Sequence, residues 1–193
     1  MKFTNIQTSV PLYHYNRPPE KERYTNTLYK KIVKELDLSI RPQRAGVIIY
    51  TKWNNEYYYG LGIDTASKEI TDFGGGISYK RDENVICGAL REFKEETLGI
   101  FGDVRYEDVL EAPVIYNNTN LIIFKYVHED PFLIRERFLQ HFIEAENTKD
   151  IPEVCDIIWM TTTELKHCIM TRGKMFFRVQ TFLQKAGNFY WLL

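Results

Sequence analysis

The sequence predicts one mixed α/β domain preceded by a helical extension. Two runs of strand-forming residues, "AGVIIYTKW" and "EYYYGLGID", follow Gln43 with only Asn54 and Asn55 between them. Apolar residues then recur at helical spacing over 83–98 and again over 131–146. Between and after these helices lie further strand-like runs, so strands and helices alternate along the chain. A length of 193 residues suits a single domain with a full core plus an extension. We place the boundary near residue 42, with 1–42 as the extension and 43–193 as the domain.

The first twenty residues are polar and turn-rich and end in "NRPPE", where Pro18 and Pro19 suit the opening of a helix. Leu28, Ile32, Val33, Leu36 and Leu38 follow at near-helical intervals, which predicts an amphipathic helix over 20–37. Asn54 and Asn55 read as a hairpin turn. "EITDFGGGIS" carries a short strand into three consecutive glycines, Gly74 to Gly76. In the 83–98 helix, Val85, Ile86, Ala89, Leu90, Phe93 and Leu98 form the apolar side, and Gly99 stands where a helix stops. "VRYEDVLEAPVIYN" and "NLIIFKYVHE" read as two strands around an asparagine-rich turn at Asn117, Asn118 and Asn120. "DIIWMTTTEL" is a strand running into a helix capped by Thr162 or Thr163, and "KMFFRVQTFLQKAG" is a last helix.

Composition excludes some functions. The formal net charge of −1 leaves no excess of Lys and Arg for a broad nucleic-acid surface, although a local basic pocket remains open. Cys87, Cys155 and Cys168 have neither the even count nor the spacing of a disulfide framework or zinc site, and read as thiols of a reducing compartment. The four histidines are scattered without metal-ligand spacing. No run approaches the roughly 18 apolar residues of a membrane span, so a cytoplasmic protein without membrane contact is expected.

The informative stretch is "GALREFKEETLGI", residues 88–100. Glu92, Glu95 and Glu96 stand at i, i+3 and i+4 and share one helical face. Three neighbouring carboxylates repel one another unless a cation sits among them. Oxygen ligands select Mg2+ or Mn2+, and such ions act on phosphates. Arg91 can pair with Glu83 near the helix start or with Glu95 one turn on, and so orient the acids. The glycines before the helix allow a backbone to approach a ligand closely. A solvated helix face explains the acids alone, and an ordinary turn explains the glycines alone; the combination is more specific.

"GGGISYKRDENVICGALREFKEETLGI" resembles the Nudix box, whose pattern is Gly, five residues, Glu, seven residues, Arg-Glu-apolar-any-Glu-Glu-any-Gly-apolar. Glu83, seven residues and then Arg91, Glu92, Phe93, Lys94, Glu95 and Glu96 fit without a gap, so the box spans residues 76–100. Two departures stand out: six residues separate Gly76 from Glu83, and Thr97 and Leu98 both precede Gly99. The resemblance implies an α/β/α sandwich with a mixed sheet and a Mg2+- or Mn2+-dependent hydrolase that cleaves a diphosphate bond in a nucleoside diphosphate-linked small molecule. Carried over, it makes Glu92, Glu95 and Glu96 metal ligands, joined by the Gly76 carbonyl, and Glu83–Arg91 a structural salt bridge. It gives catalytic roles to Glu92, Glu95 and a later acid, Glu153 being favoured over Glu144, Glu146 and Asp150. Gly75, Arg44, Lys80 and Arg81 are candidate substrate contacts.

Substrate identity is less legible. The extension and the 131–146 helix add surface suited to a larger substrate, such as a dinucleoside polyphosphate, a nucleotide sugar or a capped RNA. An mRNA-decapping enzyme would draw on Lys21, Arg23, Lys30, Lys31 and Lys34 of the first helix as an RNA track. A catalytically silent nucleotide-sensing module is another alternative, opposed by the presence of all four acids of the box. The extension could also pack between subunits of a homodimer.

Overall fold

The computed structural model describes residues 27–148 and 151–187. Eight strands form one sheet: β1 (Tyr29–Ile32), β2 (Arg44–Trp53), β3 (Glu56–Asp64), β4 (Ile70–Thr71), β5 (Phe73–Gly76), β6 (Pro113–Tyr116), β7 (Asn120–Tyr126) and β8 (Val154–Thr161). The helices are α1 (Val85–Glu96), α2 (Pro131–Asn147), α3 (Thr162–Met170) and α4 (Phe177–Ala186). β2 lies parallel to β7 and antiparallel to β3 and β5, so the sheet is mixed.

Alternation along the central strands builds two cores, because successive side chains point to opposite faces. Val47, Ile49, Leu121 and Ile123 pack with Val85, Ile86, Ala89 and Phe93 of α1 and with Ile134 and Phe138 of α2. Ile48, Ile122 and Phe124 pack on the other face with Leu165 and Ile169 of α3 and with Val179, Phe182 and Leu183 of α4. The result is the expected three-layer α/β/α sandwich.

The sheet splays at one place, and that place positions the site. From the hairpin end at Trp53↔Glu56, β2 pairs with β3 as far as Ile49↔Gly60, beyond which the two strands part. β4 continues on β3 and β5 on β2, with Gly62↔Thr71 and Val47↔Phe73 on either side of the corner. Asp72, fully buried, is the corner residue. The hairpin turn is as expected: Asn54 and Asn55 have φ of 48° and 65°, the left-handed geometry of a tight two-residue turn.

The predicted helix over 20–37 needs correction. Residues 20–26 lie outside the described residues, but Tyr29–Ile32 is a strand and Val33–Glu35 a single 3-10 turn. β1 adds to the edge of β6, and Val33 and Lys34 N–H groups continue the contact by donating to the Ala112 and Leu110 carbonyls at 3.0 and 2.9 Å. Tyr29, Ile32 and Val33 suit a strand, and an open edge supplied the partner that an isolated helical period cannot foresee. Of the five basic residues, Lys21 and Arg23 lie outside the described residues; of the other three, Lys30 and Lys31 project to opposite sides of a strand, and Lys34 pairs with Glu111. Three further boundaries differ. Residues 106–109 form a 3-10 turn before β6, α1 ends at Glu96, and Thr161 rather than Thr162 or Thr163 caps α3. Among the described residues, no helix is long and apolar enough to cross a membrane.

Candidate active site

α1 starts sharply because the Asn84 side chain accepts from the Ile86 and Cys87 N–H groups at 2.9 and 3.0 Å. Its apolar residues fix its rotation against the sheet, and that rotation turns Glu92 and Glu96 toward the glycine strand β5. Glu96 is buried, and its carboxylate accepts from the Gly74 N–H at 2.7 Å. Glu92 lies over Gly75: a Cβ built on that glycine would come within 2.6 Å of the Glu92 carboxyl carbon. A side chain there would push the Glu92 carboxylate aside, so glycine in the middle of the triplet leaves that carboxylate its place.

Arg91 organises the outer side of this face. It donates to Asp82 through Nε at 2.9 Å and through a terminal nitrogen at 3.1 Å, and its guanidinium pairs with Glu92 at 2.7 Å and Glu95 at 3.0 Å. The same group reaches the Gly76 carbonyl at 3.3 Å. The expected partner Glu83 is displaced from this role. Glu83 is exposed, while the neighbouring Asp82 is buried and also accepts from the Ser78 N–H at 2.9 Å. The Arg91 hydrogen bonds hold the Asp82 carboxyl below its ordinary range despite burial. Asp82 keeps the five-residue spacing from Gly76, so the extra residue lies after the acid and not before it.

A second charge pair closes the corner of the sheet. Arg44 donates to both Asp72 oxygens, at 2.9 and 2.6 Å, and to the Gly74 carbonyl at 2.8 Å. A side chain at Gly46 would strike Cα of Gly74 and the Phe73 carbonyl oxygen, each at 2.8 Å, so this corner closes only on glycine. Arg44 borders the cavity, and its guanidinium is committed to Asp72.

The glycine strand, Arg44, Glu96 and Glu153 border a cavity of about 560 Å3. Glu153, just ahead of β8, is joined to the rim by its backbone carbonyl, which accepts from the Thr65 N–H at 2.7 Å. Burial pushes the Glu96 carboxyl up to about 9, the Asp72 charge adds to this, Arg44 and the Gly74 N–H oppose it, and Glu153 adds again. With Asp72 neutralised by Arg44, Glu96 and Glu153 are two carboxyls without a cationic side chain of their own among the described residues.

That surplus of oxygen donors suits a hard divalent cation. Among the described residues, no three Asp, Glu, His or Cys side chains already converge as a closed metal cluster. Mg2+ does not require one, since it commonly takes one or two carboxylates and completes its shell with water and phosphate. Glu95 stands apart: its side chain is 56% exposed, held by Arg91, and does not border the cavity. Lys80 and Arg81 are exposed on the loop before α1 and do not border it either.

Sequence reasoning missed Asp72, Asp82, Arg178, Phe176 and the pair Thr119–Asn120, the last four of which line the cavity. Only Asp82 had left a signal, its spacing from Gly76. The others come from distant segments that meet only when the sandwich closes.

The chain matches no protein-family model and no curated protein sequence. Among solved structures it is similar to the NUDIX domain of NrtR from Shewanella oneidensis complexed with ADP ribose, at 12% identity over 86% of this chain and 96% of that one, with a TM-score of 0.45. It is also similar to the Ap4A hydrolase of C. elegans, at 16% identity over 76% and 96% of the two chains with a TM-score of 0.42. A NUDIX-family hydrolase from Clostridium perfringens shows 13% identity over 78% and 97%, with a TM-score of 0.38. At these identities and scores the likeness decides neither family nor activity.

Proposed function

We propose that the chain is a divalent-cation-dependent hydrolase of the Nudix type, cleaving a diphosphate bond in a nucleoside diphosphate-linked substrate. One observation carries the reading. The Glu96 carboxyl is buried against the glycine strand, beside Glu92, and opens into the same cavity as Glu153. Burying a carboxyl without a cationic partner is costly. A bound cation offsets that cost, and the spacing of the box supplies the residues at the right place.

Glu96 and Glu92 are assigned as the principal carboxylates that would hold Mg2+ or Mn2+. Arg91 fixes Glu92 by charge, and Glu95 stands behind it as a member of the same ion-pair chain. The cation, when bound, neutralises phosphate charge and makes a water more acidic. Glu153 accepts the proton of the attacking water. One P–O bond to water forms, the bridging P–O bond breaks, and the two phosphate products leave. Arg44 holds Asp72 and Gly74 in place, so it shapes the cavity and does not need to move during the reaction.

The test is a substrate panel with Mg2+ or Mn2+: nucleoside triphosphates, ADP-ribose, nucleotide sugars, dinucleoside polyphosphates, NADH and capped RNA. Cleavage of a diphosphate linkage is expected for at least one of these. It should fall at least about 100-fold in Glu96→Gln, as expected when a group stabilising transition-state charge is removed. Activity that survives in both Glu96→Gln and Glu92→Gln would refute the assignment.

A further inference from the structure

The catalytic cavity does not end at its own wall. Arg178, Thr119 and Asn120 border it, and the same three residues border a second, smaller cavity of about 170 Å3. Arg178 lies in the first turn of α4, and Lys185, two turns further on, borders the far end of the second cavity. Seven helical residues place these two cations on one face, about 10 Å apart along the axis. Neither side chain has a hydrogen-bond or ion-pair partner among the described residues, whereas Arg44, Arg91, Arg135 and Arg137 are all paired. Phe177, 74% exposed, gives the second cavity an aromatic wall.

The two ends are opposite in charge. Glu96 and Glu153 make the first end acidic, suited to a cation, and Arg178 and Lys185 make the second end basic, suited to an anion. A ligand short enough to lie wholly in the first cavity leaves the second end unused. A ligand with phosphates along its length matches both.

We propose that the second cavity is a subsite for the distal phosphates of an elongated substrate, one whose phosphate chain continues past the scissile diphosphate. Arg178 takes the phosphate at the junction of the two cavities, and Lys185 takes the one beyond it. A nucleoside at that end lies along Phe177. The chain therefore prefers tri- or tetraphosphate-linked compounds over diphosphate-linked ones. This inference rests on the hydrolase reading above.

Two measurements separate the inference from that reading. The first is calorimetric binding of inorganic diphosphate and inorganic tetraphosphate to the full chain in EDTA, so that neither a cation nor turnover enters. About tenfold tighter binding of tetraphosphate is expected, as for one gained charge-assisted contact. Arg178→Ala should remove most of the difference and Arg178→Ala with Lys185→Ala all of it, and the exposure of both residues keeps the fold intact. The second is the ratio of kcat/KM for tetraphosphate- and diphosphate-linked dinucleosides with Mg2+, expected to fall about tenfold in Arg178→Ala. Equal binding of the two anions, or a difference that survives in the double variant, overturns the subsite even if hydrolysis is found. An Arg178-dependent binding difference without cleavage of any compound in the substrate panel upholds the phosphate subsite and overturns the hydrolase.

Discussion

Replacing Glu96 by glutamine should stabilise the cation-free protein at alkaline pH while removing its activity. In the folded chain the carboxyl titrates near 9, against an ordinary value of 4.5, mainly because it is buried and secondarily because Asp72 lies close. Between these two values the folded protein holds a proton that the unfolded chain has released. Stability therefore falls as pH rises through that window, by about 1.4 kcal/mol per pH unit when the whole shift is expressed. From 4.5 to pH 8 this amounts to about 5 kcal/mol as an upper bound. Rotation of the side chain into the cavity and entry of water relieve part of it, which leaves about 2 kcal/mol as the working figure.

Glutamine keeps an oxygen for the Gly74 N–H and has nothing to titrate. Thermal unfolding in EDTA should place Glu96→Gln about 4–8 °C above the unmodified protein at pH 8, with the two close together at pH 5. Millimolar Mg2+ should then raise the melting temperature of the unmodified protein at pH 8 and leave the variant unmoved, because a ligand stabilises only the state that binds it. Equal melting temperatures at pH 8 with parallel pH profiles would mean that Glu96 is solvated. The case for a cation-deficient cavity would fall with it.

Arg91→Ala should cost about 3–5 kcal/mol in chemical denaturation, because it strands the buried Asp82, whereas Glu83→Gln should stay within about 0.5 kcal/mol; equal effects would restore Glu83 as the structural partner. Since the folded Asp82 carboxyl titrates below its ordinary 3.8, its contribution is present above that value and is lost as pH falls through the depressed one. Acid unfolding should therefore move to higher pH in Asp82→Asn, as followed by circular dichroism. Gly75→Ala should leave the fold largely intact and cut activity at least about tenfold by pushing Glu92 aside, which paired unfolding and turnover assays would separate. Asn84→Ala should cost about 1–2 kcal/mol through loss of the two α1 cap bonds, read from urea midpoints.

The helix that carries the acids was legible because its signals are local. Apolar spacing set which side of α1 faces the sheet, and the opposite side then had to hold Arg91 and Glu95, with Glu92 and Glu96 at the seam. The β2–β3 hairpin was legible for the same reason, since Asn54 and Asn55 tolerate the left-handed backbone that a two-residue turn demands. The first strand was not legible. Leu28, Ile32 and Val33 are spaced well enough for a helix, and the choice between helix and strand was made by the open edge of β6, which lies more than eighty residues away in sequence.

The misplaced salt bridge shows where a motif stops being informative. Counting backward from Arg91 lands on Glu83, and counting forward from Gly76 lands on Asp82; the sequence offers both, one residue apart. Burial decides between them. The loop after Gly76 turns so that the Ser78 N–H points at residue 82, and a carboxylate there receives one backbone donor and two guanidinium donors. Position 83 lies one residue further round, in solvent, where a salt bridge contributes little. An aspartate also reaches less far than a glutamate, so Arg91 must lean toward the loop to meet it, and in doing so it comes within reach of the Gly76 carbonyl. The extra residue is thus absorbed at the start of α1, between Asp82 and the Asn84 cap, without turning the face that carries Glu92 and Glu96. The same reasoning implies that deleting Glu83 should restore the shorter spacing and leave the ion pair with Asp82 in place, whereas deleting a residue between Gly76 and Asp82 should break it.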